Sequence, residues 1–344
     1  MTSRALTPDA RELTPQRREA SATRSKLSAR PWWTWARRIF TLVFFAAVAV
    51  LLWRYGEHVD WEEVWSSVRE TPRPALMIAV ALAAASHLLY SCFDLLGRRY
   101  TGHKLRTRTV MAINFISYAF NLTLGSIVGG VGFRYRLYKQ AGLANGVIAR
   151  IVSMSMLTNW LGYKLLAGLL FIFHPLQLPP SWHLGNHSLQ WVGLVLVAIS
   201  GAYIVACVRM GDRRWEVRGH ELYLPPWRMA ILQMGISCAN WMLMAGVVYV
   251  LLQRAVAYTD VLTVLLMGAI AGVFAHVPGG LGVYEFIFVG LLSHRVSEGR
   301  LLAALLGYRA IYYIVPMLVA GAMYLLFELQ HRHAAPKATA VKAP

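Results

Sequence analysis

Three sets of residues in this sequence have types and spacings suited to chemistry, and each puts charge beside apolar or glycine-rich chain. In Gly129-Gly130-Val131-Gly132-Phe133-Arg134-Tyr135-Arg136-Leu137-Tyr138-Lys139, tight glycines run directly into two arginines. A guanidinium grips phosphate oxygens through paired N–H donors, so Arg134 and Arg136 are a candidate clamp for a lipid phosphate. The plainer alternative is a pair of loop charges after a turn. In Pro278-Gly279-Gly280-Leu281-Gly282-Val283-Tyr284-Glu285, proline and glycine interrupt an apolar run and place Glu285 at the start of the helix that follows. There a carboxylate either caps the helix or takes a proton or pairs with Arg309. Arg309 itself lies deep in the apolar stretch 301–327, where an unused charge is expensive.

Other polar residues inside apolar runs have more ordinary roles. Asn114, Asn121, Asn159 and Asn240 suit hydrogen bonds between helices, with Asn121 and Asn159 kept as candidate substrate contacts. Arg150 and Lys164 stand where they can snorkel, Asp94 has Arg98 one turn away, and His87 and His276 read as hydrogen-bonded structural groups. His174, His183 and His187 lack metal spacing, and Cys92, Cys207 and Cys238 read as small buried apolar residues, so no metal or cofactor is expected. No P-loop, nucleophile elbow, zincin motif or acid pair is present, which argues against an ATP-driven pump and against an enzyme. A lipid-modifying enzyme would have only His276 and Glu285 to work with.

The elements that must position these residues follow from composition. Of 344 residues, 57% are hydrophobic and 15% charged, with a mean hydropathy of +0.47. Lipid is the solvent that tolerates so much apolar surface. Apolar runs fall at about 39–55, 74–96, 109–130, 146–173, 188–208, 227–252, 259–292 (interrupted) and 300–327. The net charge of +18 comes from basic residues flanking these runs, as the positive-inside rule requires, and nucleic-acid binding is not expected. Residues 1–38 read as a disordered basic cytoplasmic tail, too long and mixed for a cleaved signal, and 328–344 as a second tail. Trp32, Trp33 and Trp35 suit an interfacial belt, and Trp61, Val64, Trp65 and Val68 mark an amphipathic helix on the membrane surface.

Lys and Arg number nine in 1–38, three against five acids in 54–73, five in 97–108, none in 174–187 and five in 209–228. These segments alternate inside, outside, inside, outside, inside. Two apolar runs separate 97–108 from 174–187, where the alternation needs an odd number of crossings. The run 109–130, which ends in glycines, is therefore expected to enter and return on one side. If the C-terminal tail is inside, 259–292 must do the same from the opposite side, reversing at the Pro-Gly-Gly break. The breaks correspond at a fixed offset: 279 − 129 = 150, and Arg150 and Arg300 keep it, since 300 − 150 = 150. The expected plan is an inverted repeat, 74–173 and 227–327, each carrying a re-entrant hairpin whose glycines 129, 130, 132 and 279, 280, 282 break the helix.

At these residues the chain resembles the YbhN-like family of bacterial inner-membrane proteins, itself similar to the flippase-type transmembrane region of lysylphosphatidylglycerol synthase. The stretches are Val59–Trp65, Tyr118–Leu124, Arg134–Tyr138, Thr158–Tyr163, Tyr308-Arg309 with Tyr312-Tyr313, and Pro278–Gly282 with Glu285, spread over about 32–330. The resemblance implies handling of phospholipid in the inner membrane, without the synthase's soluble aminoacyl-transfer domain. The resulting expectation is an all-α polytopic protein, with 39–327 as its membrane domain and the N-terminus in the cytoplasm. It would move or handle an anionic lipid headgroup, with Arg134, Arg136, Arg309, Glu285, Asn159 and Asn121 as substrate contacts. The alternatives are a scaffold binding anionic lipid or a partner protein, and a lipid-modifying enzyme; a homo-oligomer or a lipid-enzyme partner fits either.

Overall fold

The computed structural model describes residues 61–175, 186–211, 214–217, 220–275 and 277–334. The basic tail 1–38, the first apolar run, His183 and His276 lie outside these residues. Tryptophan and valine at helical spacing form α1, Trp61–Glu70, with Trp65 and Val68 exposed, as a surface helix requires. Pro72 and Pro74, which favour a first turn, start α2 (Arg73–Ser91), and α3 (Phe93–Thr101) continues it past Cys92. Gly102, with φ of 70°, ends α3, and α4 runs Thr107–Leu124.

At Gly125 the chain turns back. A π-helical segment, Ser126–Gly132, leads into α5 (Phe133–Gln140). The return is so tight that a Cβ on Gly129 would lie 2.3 Å from backbone atoms of Phe120 and Asn121, so only glycine fits there. Then come α6 (Asn145–Phe173), α7 (Asn186–Met210) and an antiparallel ribbon of β1 (Arg214–Val217) and β2 (His220–Tyr223), with Arg214 opposite Tyr223. The ribbon lies in the basic segment 209–228 and leaves the class helical.

A second glycine break follows further along the chain. After α8 (Trp227–Leu251) and α9 (Tyr258–Ala275), a 3₁₀ turn at Pro278–Gly280 precedes α10 (Val283–Leu292), then α11 (Glu298–Arg309), a π turn at Ala310–Ile314, and α12 (Val315–Ala334). Helix α10 opens 150 residues after α5, since 283 − 133 = 150. Helices α2 and α8 pack against each other, and α9 packs on α10 as α4 does on the segment that follows it.

Among the described residues, six helical stretches are long and apolar enough to cross a membrane: Arg73–Thr101, Asn145–Phe173, Ser188–Met210, Trp227–Leu251, Tyr258–Ala275 and Glu298–Leu329. Helix α6 alone has 29 residues, or roughly 43 Å at 1.5 Å per residue, more than a hydrocarbon core of about 30 Å. Large apolar side chains such as Met77, Trp191, Val195 and Leu318 face outward, an arrangement that lipid accepts and water would not. The chain is a polytopic helical membrane protein. Inside, one apolar core joins α8, α9, α10 and α11 through Val248, Leu265, Phe288 and Leu305, and a second joins α4, α5 and α6 through Ile113, Leu137 and Ile151.

Candidate functional site

The second break is built around Arg309. Its Nε and Nη2 donate to the two oxygens of Glu285 at 2.6 and 3.0 Å, a bidentate fork across α11 and α10. Nη1 donates to the Gly279 carbonyl at 3.0 Å and Nη2 to that of Gly280 at 3.1 Å. Gly279 and Gly280 have φ of 65° and 59°, a backbone form costly for other residues, and it turns their carbonyls toward the guanidinium. The expected Glu285–Arg309 pair is therefore present, and it holds the break together. Its side chains remain 13% and 14% exposed, so the pair is shielded without being sealed. The Tyr313 ring lies 5.7 Å from the guanidinium.

The first break has its own arginine. Arg134 is buried, and its Nε donates to Asp94 Oδ2 at 3.2 Å, Nη1 to the Gly130 carbonyl at 3.3 Å, and Nη2 to Ser155 Oγ at 3.1 Å and to Asn114 Oδ1. Tyr138 donates its hydroxyl to the same Asp94 oxygen at 2.9 Å. Each glycine break is thus pinned by one arginine that binds a carboxylate and a break carbonyl.

This geometry corrects two expectations. Arg134 and Arg136 do not converge as a clamp, because positions two apart on a helix point away from each other. Arg136 instead reaches Glu328 on α12 at 3.3 Å, with its side chain 55% exposed. Asp94 pairs Arg134, not Arg98. Burial at the foot of α3 turns its carboxylate into the bundle, while Arg98 stays outside and donates to Thr107. The asparagines divide as well. Asn114 and Asn240 bridge helices, to the Tyr90 carbonyl and to Ser86, and Asn121 lies against Gly130. Asn159 offers its backbone carbonyl to Ser237 and Trp241. Neither Asn121 nor Asn159 joins the Arg309–Glu285 pair.

The second break meets the helix that leads into the first. A Cβ on Gly279 would stand 3.3 Å from the carbonyl oxygen of Leu122, so the Pro-Gly-Gly turn abuts the last turn of α4. Around this meeting point lies a buried polar-aromatic cluster that single-residue reasoning missed. Tyr312 bonds Ser86 at 2.6 Å and Tyr118 at 3.0 Å, Ser86 donates to Asn240 at 2.8 Å, and His87 packs on Tyr118 and Tyr312. Tyr308 and Tyr312, four apart, share a helix face, and that spacing was the available signal. The π turn at 310–314 re-aims this face, a local irregularity often found at functional sites. Among the described residues no group of three or more His, Cys, Asp or Glu is placed to hold a metal.

Comparison with known proteins places these features in a family. Residues 39–320 match the family described as the lysylphosphatidylglycerol synthase TM region. Inner membrane protein YbhN of Escherichia coli (strain K12) is 47% identical over 303 residues, which are 88% of this chain and 95% of that protein. Uncharacterized protein slr0712 of Synechocystis sp. is 30% identical over 279 residues, 80% of this chain and 86% of that one. Phosphatidylglycerol lysyltransferase of Staphylococcus haemolyticus is 27% identical over 295 residues, which are 82% of this chain and 33% of the enzyme.

Proposed function

The chain belongs to the lysylphosphatidylglycerol synthase TM-region family, and on that premise we propose that it moves an anionic phospholipid headgroup between leaflets of the bacterial inner membrane. The observation that carries this reading is the second glycine break, seated against the last turn of α4 and held by a shielded Arg309–Glu285 pair. In this reading the hairpins α4–α5 and α9–α10 enter the bilayer from opposite faces as an inverted repeat, with the N-terminus in the cytoplasm. Non-helical backbone at that depth is tolerated where it lines a cavity.

A lipid phosphate offers the same pair of oxygens that Glu285 offers Arg309. Headgroup arrival then exchanges one bidentate partner for another. Because Arg309 also holds the Gly279 and Gly280 carbonyls, the exchange is coupled to the turn that joins α9 to α10. Rocking of one half against the other carries the headgroup across. The reading contains no covalent step; the enzyme alternative needs Glu285 as a free acid or base, and Arg309 occupies it.

The scaffold alternative is favoured by one observation: Arg134 is saturated by internal partners and Arg136 is tied to Glu328, so neither waits for a ligand. Proteoliposomes carrying a fluorescent phosphatidylglycerol, quenched from outside by dithionite, separate the two. Transport requires faster exposure of inner-leaflet label with wild type than with Arg309→Ala. Equal rates for wild type, Arg309→Ala and protein-free vesicles leave the scaffold.

A further inference from the structure

Helices α11 and α12 form one long apolar stretch, Glu298–Leu329, that is interrupted twice in succession just past Arg309. In the π turn the Val315 N–H reaches back five residues to the Ala310 carbonyl, one more than an α-helix spans. Pro316 follows at once, and having no N–H it cannot donate to the Tyr312 carbonyl one turn back. A widened bond next to a missing one is where a long helix bends. What lies beyond this joint is held lightly. Leu318, Leu325 and Leu326 of α12 are exposed. The far end leans on α5 through Tyr324 against Phe133 and through Glu328, which accepts from Arg136 and Gln140 at 3.3 and 3.2 Å. With the Arg136 side chain open to its surroundings, such a contact is cheaply exchanged.

On another side α12 faces open space. A groove of about 560 Å³ separates Val315 and Val319 from α2 and α4. Ala84 on α2 and Ala112 on α4 leave room there for a helix to come close, as small residues do between membrane helices. A second partner for Glu328 stands beside this groove. Gly129 abuts Asn121 and Arg134 bonds Asn114, so α4 and the returning α5 run in opposite directions. Gln140 is then level with Arg108, since 140 − 134 and 114 − 108 are both 6. Glu328, bonded to Gln140, lies at that height too. Arg108 is exposed and has no hydrogen bond or ion pair among the described residues.

We propose that α12 is a hinged arm with two seats: it pivots at the π turn and Pro316 from α5 into the α2–α4 groove, and Glu328 passes from Arg136 to Arg108. This deepens the transport reading and rests on it for what the motion serves, because one swing joins Arg309, the residue before the joint, to the base of the first hairpin. The test is double electron–electron resonance on the full-length protein in nanodiscs of phosphatidylglycerol and phosphatidylcholine. Spin labels go on native Cys92, at the end of α2, and on Leu326→Cys of α12, with Cys207 and Cys238 replaced by serine. Wild type is expected to give two distance populations about 8 Å apart, one interhelical spacing. Arg136→Gln enriches the shorter population and Arg108→Gln depletes it, each by up to about fivefold, the weight of an exposed ion pair. Ala112→Trp, which fills the groove, abolishes the shorter population, and Pro316→Ala, which restores the missing donor, merges the two. Monodisperse elution establishes folding of each variant, and Ala84→Leu replaces Ala112→Trp if the latter aggregates. A single population in both wild type and Arg136→Gln, a shorter population that survives filling of the groove, or populations unchanged by Pro316→Ala overturns the proposal. Leaflet exchange that persists with a single population sinks the hinge alone. Two populations without exchange in wild type sink the transport reading alone.

Discussion

Asp94→Asn is the substitution whose cost the structure fixes best. Asp94 is fully buried and Arg134 is 2% exposed, so neither charge has recourse to water. The substitution leaves the guanidinium charge with only neutral partners, Asn114, Ser155 and the Gly130 carbonyl, and weakens the bond accepted from Tyr138. Removing one partner of a buried pair costs about 3–5 kcal/mol, and at about 1.4 kcal/mol per decade that is roughly two to three and a half decades in the unfolding equilibrium. Asp94→Asn combined with Arg134→Met removes the stranded charge and is expected to lie within about 2 kcal/mol of wild type, because apolar replacement of a whole buried pair is often nearly neutral. The assay is equilibrium unfolding in mixed micelles, read by tryptophan fluorescence and arranged as a double-mutant cycle. A cost below about 1 kcal/mol for Asp94→Asn, or a double variant as damaged as the sum of its parts, refutes the assignment of this pair as the pin of the first break.

Other perturbations probe the remaining elements. Gly129→Ala forces a methyl against the Phe120 and Asn121 backbone and is expected to cost about 1–3 kcal/mol in the same unfolding assay, whereas Gly146→Ala, which meets open space, costs none of this. Glu285→Gln keeps shape but loses the charge facing Arg309, so the rate of leaflet exchange should differ from wild type; an unchanged rate assigns the headgroup contact elsewhere. Arg136→Ala breaks an exposed contact with Glu328 and should change stability by no more than about 1 kcal/mol, measured by thermal aggregation. His103, in the loop before α4, has its pKa held below the usual 6.5 by burial and by the positive Arg98. The unfolded chain then binds the extra proton first, so this contribution is fully present above pH 6.5 and is lost as pH falls below it through the lowered value of the folded state. Melting temperatures at pH 7.5 and 5.5 should diverge less in His103→Gln than in wild type.

Much of the frame was legible because lipid imposes length and charge rules that a sequence displays openly. The runs after 146, 188 and 227 became α6, α7 and α8, and the helix in the run 109–130 ends at Leu124, just before its glycines. The glycine-marked break at 278–282 was visible for a local reason, since proline and left-handed glycines stop a helix wherever they stand. The Glu285–Arg309 pair was within reach because each is an expensive charge in an apolar run. Partner choice at the first break was not. Asp94 has a cation one turn away at Arg98, yet it bonds Arg134, forty residues on in sequence, because packing of α3 on α6 turns the carboxylate inward. Pairing between distant helices leaves no local signature. The Ser86–Asn240–Tyr312 cluster was hidden for the same reason, each member being an ordinary polar residue in its own helix.

The opposed insertion of the two hairpins is most directly measured by labelling single cysteines from one side of sealed membrane vesicles. With Cys92, Cys207 and Cys238 replaced by serine, Arg136→Cys reports the base of the first hairpin and Arg295→Cys the end of the second, and both native side chains are about half exposed. An impermeant maleimide applied to right-side-out vesicles should modify position 295 and spare position 136, and inverted vesicles should reverse the pattern. Modification of both positions from the same side contradicts the inverted arrangement and, with it, the proposed route for the headgroup.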